Sequence, residues 1–305
     1  MNTSVVVNQM LMLFFPVVIG YIIIKLGVVK EEFTKNLSSF IFNVTLPCAI
    51  ISALQFDFDR QILIKSALLI VISAIIIVFS WIFGLGTAKI LKAKHSSKSV
   101  IVYSLMFSNF SFMGYPIAQA FMGDEGLMYA TMFTLPLYVM VQSWGVALIN
   151  SEGERKFKAT YILNAPLIAA VIGFILFLTG LRFPTAIDGT ISMLGSMTTP
   201  LAMVVVGLSL SAEPLKNAFT SIRFYVVALL RLVVLPLIVF YVLKALNINI
   251  DICRVSAIIT MMPVAANIIV TSATYGKDTT DPARAVLLTT VLSVITIPLM
   301  GFILF

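Results

Sequence analysis

The sequence is short of the residues that clothe a wet surface and of those that do acid–base or metal chemistry. Only 11% of its 305 residues are charged, against about 25% in a typical soluble domain. Such a chain cannot dress a water-facing exterior. There is one histidine, His95, set in a basic stretch with no acidic cluster nearby. Neither a histidine-based hydrolytic centre nor a zinc site can be built from it. The two cysteines, Cys48 and Cys253, fit no metal or paired-disulfide spacing. No GxxxxGK[ST] loop is present to cradle a nucleotide phosphate. An enzyme is therefore not expected, and no cofactor or bound metal is expected either.

What the chain does have is hydrocarbon. Sixty per cent of its residues are hydrophobic and the mean hydropathy is +1.07. A helical span needs about 20 largely apolar residues. Ten can be placed, at 8–26, 36–55, 62–90, 100–122, 127–149, 160–180, 187–210, 218–246, 253–275 and 284–304. Helices are required because barrel strands would alternate with period two. The first stretch, "MNTSVVVNQMLMLFF", has no basic residue ahead of its apolar run, so it is expected to be a retained span rather than a cleaved signal.

Lys and Arg set the orientation. Five lie on the side that would hold both termini and fourteen on the other, which the positive-inside rule makes cytoplasmic. Both termini are then outside and the basic loops inside, in the plasma membrane (the inner membrane of a bacterium). The net charge of +7 is explained by this topology, so the expected macromolecular surroundings are a bilayer and not nucleic acid.

The chain also repeats itself. "VVIGYIIIKLG" (Val17–Gly27) returns as "AVIGFILFLTG" (Ala170–Gly180), and "TLPCA" (Thr45–Ala49) as "TTPLA" (Thr198–Ala202), both at a shift of 153, which also carries Gly123 onto Gly276. The register slips elsewhere: Pro116 maps onto Ile269 rather than Pro263. The expected division is 1–152 and 153–305, five spans each. An odd number per half makes the second half enter from the opposite face, an inverted repeat of the kind that supports alternating access.

One stretch is too polar for a plain span. "SNFSFMGYPIAQ" (Ser108–Gln119) places Asn109, Ser111, Gly114 and Pro116 in the fourth span, and "TMMPVAANIIVTS" (Thr260–Ser272) places Pro263 and Asn267 in the ninth. Pro116 cannot donate to Phe112, so helix geometry is expected to fail near Met113–Pro116. Each proline alone reads as an ordinary kink. Mirrored in two opposed spans, they predict two broken helices crossing at mid-depth, their N-termini facing one small volume suited to an anion.

The segments "NFSFMGYPIAQAFMGDEG", "TTPLAMVVVGLSL", "LRLVVLPL" and "MMPVAANIIVTSATYG" resemble those of the auxin efflux carrier family, within the bile acid:sodium symporter superfamily. That family includes plant hormone exporters and bacterial permeases annotated for malate or malonate. The resemblance implies an all-α, sodium/proton antiporter-like fold of ten helices in a 5+5 inverted repeat. It also implies that helices 4 and 9 cross at prolines matched by Pro116 and Pro263. A scaffold of helices 1, 2, 6 and 7, an elevator-like moving part from helices 3–5 and 8–10, and a homodimer follow from it too. Asn109 matches the asparagine that contacts a substrate carboxylate. The central loop "NSEGERKFKA" is short where the plant exporters carry a long regulatory segment, which argues against auxin itself as the substrate.

Coupling is less determined. All 13 acidic residues fall in loops or at span ends, so a carboxylate proton carrier is not expected. Sodium symport through Asn, Ser, Thr and backbone oxygens stays open, as does uncoupled anion movement. Arg231, in "VALLRLVVLP", is the one charge placed deep in a span. It reads either as a functional group or as a brace on backbone carbonyls, and no sequence feature points it toward the crossover. Asn43 and Thr45, with Thr198 and Thr199, form a symmetric polar pair that either lines the path or packs the scaffold. A carrier of a small mono- or dicarboxylate is the reading adopted, with a channel or a non-transporting sensor as its alternatives.

Overall fold

The computed structural model describes residues 3–55, 59–150, 164–210 and 219–305, and there every regular element is a helix. Among the described residues, six helices are long and apolar enough to cross a membrane: Glu32–Ala53, Arg60–Ile90, Phe110–Ile149, Thr185–Leu210, Ile222–Ala245 and Thr280–Leu304. Leu11–Lys25 and Ala165–Thr179 are shorter apolar helices. The molecule is an all-α, multi-pass membrane protein.

In chain order the elements begin with α1 (Thr3–Lys25), then α2 (Glu31–Phe40) and α3 (Leu46–Ala53), joined by a π-helical turn at Ile41–Thr45. The long α4 (Arg60–Ile90) and the short α5 (His95–Met106) come next. A π turn at Phe110–Gly114 opens α6 (Tyr115–Met140), and another at Val141–Gly145 leads into α7 (Val146–Ile149). The next elements are α8 (Ala165–Thr179), α9 (Thr185–Ser196) and α10 (Thr198–Leu210). A π turn at Leu230–Val234 joins α11 (Ile222–Leu229) to α12 (Leu235–Ala245), and α13 (Ile250–Thr260), α14 (Asn267–Thr274) and α15 (Thr280–Leu304) complete the chain.

Proline explains three of the four π turns among the described residues. Pro47, Pro116 and Pro236 each stand two residues beyond one. The wider turn carries the chain past the bond that proline cannot donate, so the helix continues instead of breaking. For this reason the expected failure at Met113–Pro116 does not occur. The N–H groups of Met113 and Gly114 both reach the carbonyl of Asn109, at 3.2 and 3.1 Å, and helical geometry runs on through Pro116. The real interruption is at Phe107–Asn109, one to two turns earlier.

The expected fourth and fifth spans share one long helical run with a sharp reversal inside it. Gly123 adopts φ 68° and ψ −158°, a region open essentially to glycine alone. Beyond it the chain doubles back. Tyr115 Oη lies 2.5 Å from Thr134 Oγ1, and Ser111 Oγ lies 3.3 Å from Tyr138 Oη. Gly123 (φ 68°) has its counterpart 153 residues on in Gly276 (φ 63°), and Gly27 (φ 71°) has Gly180 (φ 67°). The glycines paired by the sequence shift therefore share a left-handed backbone.

Packing is heaviest within two groups of helices, with lighter contacts of α1, α3 and α10 on α6 and of α1 and α10 on α15. Helix α1 lies along α10, and α3 lies against α8 and α9. The α1–α10 approach is backbone to backbone: a Cβ on Gly207 would strike the carbonyl of Val17, and one on Gly20 the carbonyl of Val204. Small residues permit such close contact where lipid supplies no hydrophobic drive between helices. Separately, α4 packs on α5 and α6, and α13 packs on α6 and α12.

Candidate functional site

Two interrupted helices meet inside this frame. Between α5 and the turn that opens α6, residues 107–109 leave helical geometry; between α13 and α14, residues 261–266 do the same. The two gaps lie side by side as a single antiparallel β-bridge, Ser108 to Val264. Asn109 N–H donates to the Pro263 carbonyl at 2.7 Å and Ala265 N–H donates to the Phe107 carbonyl at 3.2 Å. Val264 N–H donates to Thr289 Oγ1 on α15 at 3.1 Å. An unpaired backbone group away from water costs several kcal/mol, so each break satisfies the other. Gly114 permits the approach: a Cβ there would stand 2.9 Å from Ile259 Cδ1 on α13.

Against this bridge lies a cavity of about 360 Å³. The bridge contributes Ser108 and Asn109, and the start of the α6 arm contributes Phe110, Ser111 and Phe112. Ala265, Ala266 and Asn267 come from the entry to α14. The remaining wall is Ser38, Ser39, Phe42 and Asn43 near the α2–α3 junction, Tyr138 near the end of α6, Val141 and Gln142 in the π turn that follows it, and Asn164. Its size is that of a small-molecule pocket. Among the described residues, none that lines it carries a charge. Its polarity comes from amides, hydroxyls and the starts of two helical arms, whose first N–H groups have no intrahelical acceptor and carry the positive end of the helix dipole.

Several lining groups are already held in place. Asn109 Oδ1 accepts from Phe112 N–H at 3.4 Å, as a cap on the α6 arm. Asn43 Nδ2 donates to the Ser39 carbonyl at 2.9 Å and to Ser39 Oγ at 3.2 Å. Tyr138 stands edge-on to Phe110, ring centroids 4.8 Å apart, with its hydroxyl against Ser111. The cavity wall is thus a fixed polar surface with an aromatic floor.

The structure sorts the expected site residues into two groups. Asn109, Ser111 and Asn267 line the cavity, and Asn43 joins them. Gly114, Pro116 and Pro263 do not: Gly114 provides close packing, Pro116 rides a π turn, and Pro263 supplies a carbonyl to the bridge. Thr45 and Thr198 are buried and outside the lining of the cavity, their hydroxyls without a hydrogen-bond partner among the described residues. Thr199 is likewise outside the lining; its hydroxyl donates to Gln119 Oε1 at 3.2 Å, tying α10 to α6.

The sequence leaves Arg231 between a functional group and a brace on backbone carbonyls. It is buried, with 2% of its surface exposed, and it does reach the crossover. Its Nε donates to the Met262 carbonyl at 3.1 Å and Nη1 to the Leu105 carbonyl at 2.7 Å. It touches the C-terminal ends of α13 and α5, on the far side of the bridge from the lining of the large cavity. It is a brace on carbonyls rather than a wall of that cavity. Sequence reasoning also missed Tyr138, Gln142, Ser38, Ser39 and Asn164. Gln142 carried a signal, a carboxamide inside the apolar run "YVMVQSWG"; Ser38 and Ser39 fall one helical turn before Asn43.

The comparisons agree with this architecture. A family model described as "Membrane transport protein" matches residues 5–160 and 155–301. The chain is 27% identical over 305 residues to an uncharacterized transporter, MJ1031, of Methanocaldococcus jannaschii, covering 97% of this chain and 98% of that one. It is 30% identical over 302 residues to an uncharacterized transporter of Methanothermobacter thermautotrophicus, covering 94% and 95%. It is 22% identical over 312 residues to the uncharacterized transporter YfdV of Escherichia coli K12, covering 96% of each. The family model is described as a membrane transport protein and the relatives are named as transporters. The chain belongs to the membrane transport protein family, the auxin efflux carrier-like transporters.

Proposed function

We propose that this protein is a carrier for a small organic anion, a mono- or dicarboxylate, bound at the crossover cavity and moved by alternating access. The observation that carries the reading is the antiparallel bridge Ser108–Val264 standing in the wall of a cavity of about 360 Å³. Two helical arms start there, and N-terminal dipole ends attract anions without a charged side chain. Asn109, whose oxygen is engaged with Phe112, has its Nδ2 donors left for a carboxylate. Ser111, Gln142 and Asn267 offer further polar contacts, and Phe110 and Tyr138 give an apolar face for the acid's carbon skeleton.

The topology that suits this function is ten spans in two inverted halves, 1–152 and 153–305. The matched left-handed glycines at 27/180 and 123/276 support it. So does the concentration of contacts within α1–α10 and α3–α8/α9 on one side and α4–α6 with α11–α15 on the other, with lighter contacts between the two. The first set is the scaffold and the second the moving body, in an elevator-type cycle. In sequence, Ser38–Asn43 and Asn164 follow the basic stretches assigned to the cytoplasm, which supports a conformation open to the cytoplasm of the cell whose plasma membrane holds it. The carrier works as a homodimer, both termini outside.

The test is uptake into proteoliposomes over a panel of mono- and dicarboxylates, with sodium, pH and voltage varied one at a time. Saturable uptake of one class supports the reading. A non-saturating conductance would make the protein a channel, and no uptake of any acid would point to a sensor.

A further inference from the structure

The large cavity uses one side of the crossover; the other side is occupied by Arg231. Four helix ends meet at the bridge. The two that begin there face the cavity, and the two that finish there, α5 and α13, turn the negative ends of their dipoles the opposite way. In carriers with broken helices, such half-helix C-termini and unwound carbonyls are where a coupling sodium ion or proton is held. Here the carbonyls of Leu105 and Met262 are taken by the guanidinium of Arg231.

The surroundings are built for a cation. A second, small cavity of about 10 Å³ adjoins Arg231, lined by Ser73, Ser80, Ser108 and Thr260 among apolar side chains and, among the described residues, by no carboxylate. Ser73 is fully buried and its hydroxyl has no hydrogen-bond partner among the described residues. A buried positive charge without a counter-anion is costly unless dipoles replace its hydration. Two carbonyl ends supply that replacement. The π turn at Leu230–Val234, ahead of Pro236, places the side chain there. The related half has no equivalent: at the same shift of 153 the residue is Val78, on α4. One arginine therefore serves both broken helices.

We propose that Arg231 is a resident cation standing where a coupling ion would bind, so that the crossover is organised without sodium. This rests on the reading of the crossover as the anion site. It adds that the anion crosses without a co-transported cation. Removing the guanidinium would leave carbonyl and hydroxyl oxygens of the kind that bind hard cations, and would turn an occupied place into a vacant ion site.

Cation binding can be tested without any anion substrate, which separates failure of this inference from failure of the carrier reading. Thermal unfolding of the purified wild-type protein and of Arg231→Ala would be followed in equimolar choline, sodium and methylguanidinium chloride. The wild type should unfold at the same temperature in choline and sodium. Arg231→Ala should unfold lower in choline and recover by roughly 2–4 °C or more as methylguanidinium, and less strongly sodium, saturates the vacated place. Arg231→Lys, which keeps the charge, should need no added cation; it stands in should the alanine variant not fold. Saturable stabilisation of the wild type by sodium would overturn the proposal. So would an Arg231→Ala protein that responds to all three salts alike, or an Arg231→Lys protein that gains a sodium response.

Discussion

Asn109 gives its backbone N–H to the carbonyl of Pro263 at 2.7 Å, so a residue of the first half of the chain completes the break in the second. The same asparagine accepts from Phe112 N–H through Oδ1 and lines the cavity. One residue thus ties the two broken helices together, caps one of them and faces the cavity.

Replacing Asn109 with alanine keeps the backbone bond to Pro263 and removes only the carboxamide. Carboxylate affinity should weaken roughly 5–10-fold, the worth of one hydrogen bond of about 1–1.5 kcal/mol. Stability should fall by about 1 kcal/mol through loss of the cap. Titration calorimetry and thermal unfolding of the purified variant read the two effects separately. Unchanged affinity would remove Asn109 from the binding surface.

Gly114 sets how closely α6 and α13 approach. An alanine Cβ would meet the flexible end of Ile259, so Gly114→Ala should cost little and improve further in combination with Ile259→Val. Gly114→Leu has no such escape and should destabilise by roughly 1–3 kcal/mol, the range for overpacking. Equal melting temperatures for the alanine and leucine variants would show that the approach is loose.

Gln119 and Thr199 join α6 to α10 across the two sets of contacts. If α6 moves against α10 during transport, a tether between these positions must stop the cycle. In a background with Cys48 and Cys253 replaced, Gln119→Cys with Thr199→Cys should lose nearly all uptake when bridged by a bifunctional thiol reagent. Each single variant treated alike should keep it. Full uptake by the bridged protein would mean that α6 and α10 do not move apart.

Tyr138 has a hydroxyl against Ser111 and a ring against Phe110. Tyr138→Phe should preserve the fold and lower affinity only a few-fold. Tyr138→Ala, which removes the aromatic floor, should cost roughly 3–5 kcal/mol of stability. The two variants behaving alike in unfolding experiments would contradict this assignment.

Much of this was readable from residue order, and the parts that were not have physical causes. Spans show because twenty apolar residues in a row have few other uses, and the paired glycines show because left-handed turns demand them. The polar residues Asn109, Ser111 and Asn267 stood out against hydrocarbon and do line one cavity. Pro116 misled because a proline marks a lost donor without saying how the loss is met. A π turn met it here, and the break moved to Phe107–Asn109. Arg231 could not be placed because its partners are carbonyls, which every residue has. Nothing in the letters of Leu105 or Met262 advertises the bond.

Counterflow tests the central claim most directly. Proteoliposomes loaded with an unlabelled carboxylate such as malonate would be diluted into a trace of the labelled acid. A carrier with one crossover site exposed to each side in turn should take up label transiently above equilibrium, faster with loading than without, and Asn109→Ala should reduce the overshoot. Label that equilibrates at a rate indifferent to internal carboxylate, over a panel of acids that do enter, would contradict the account.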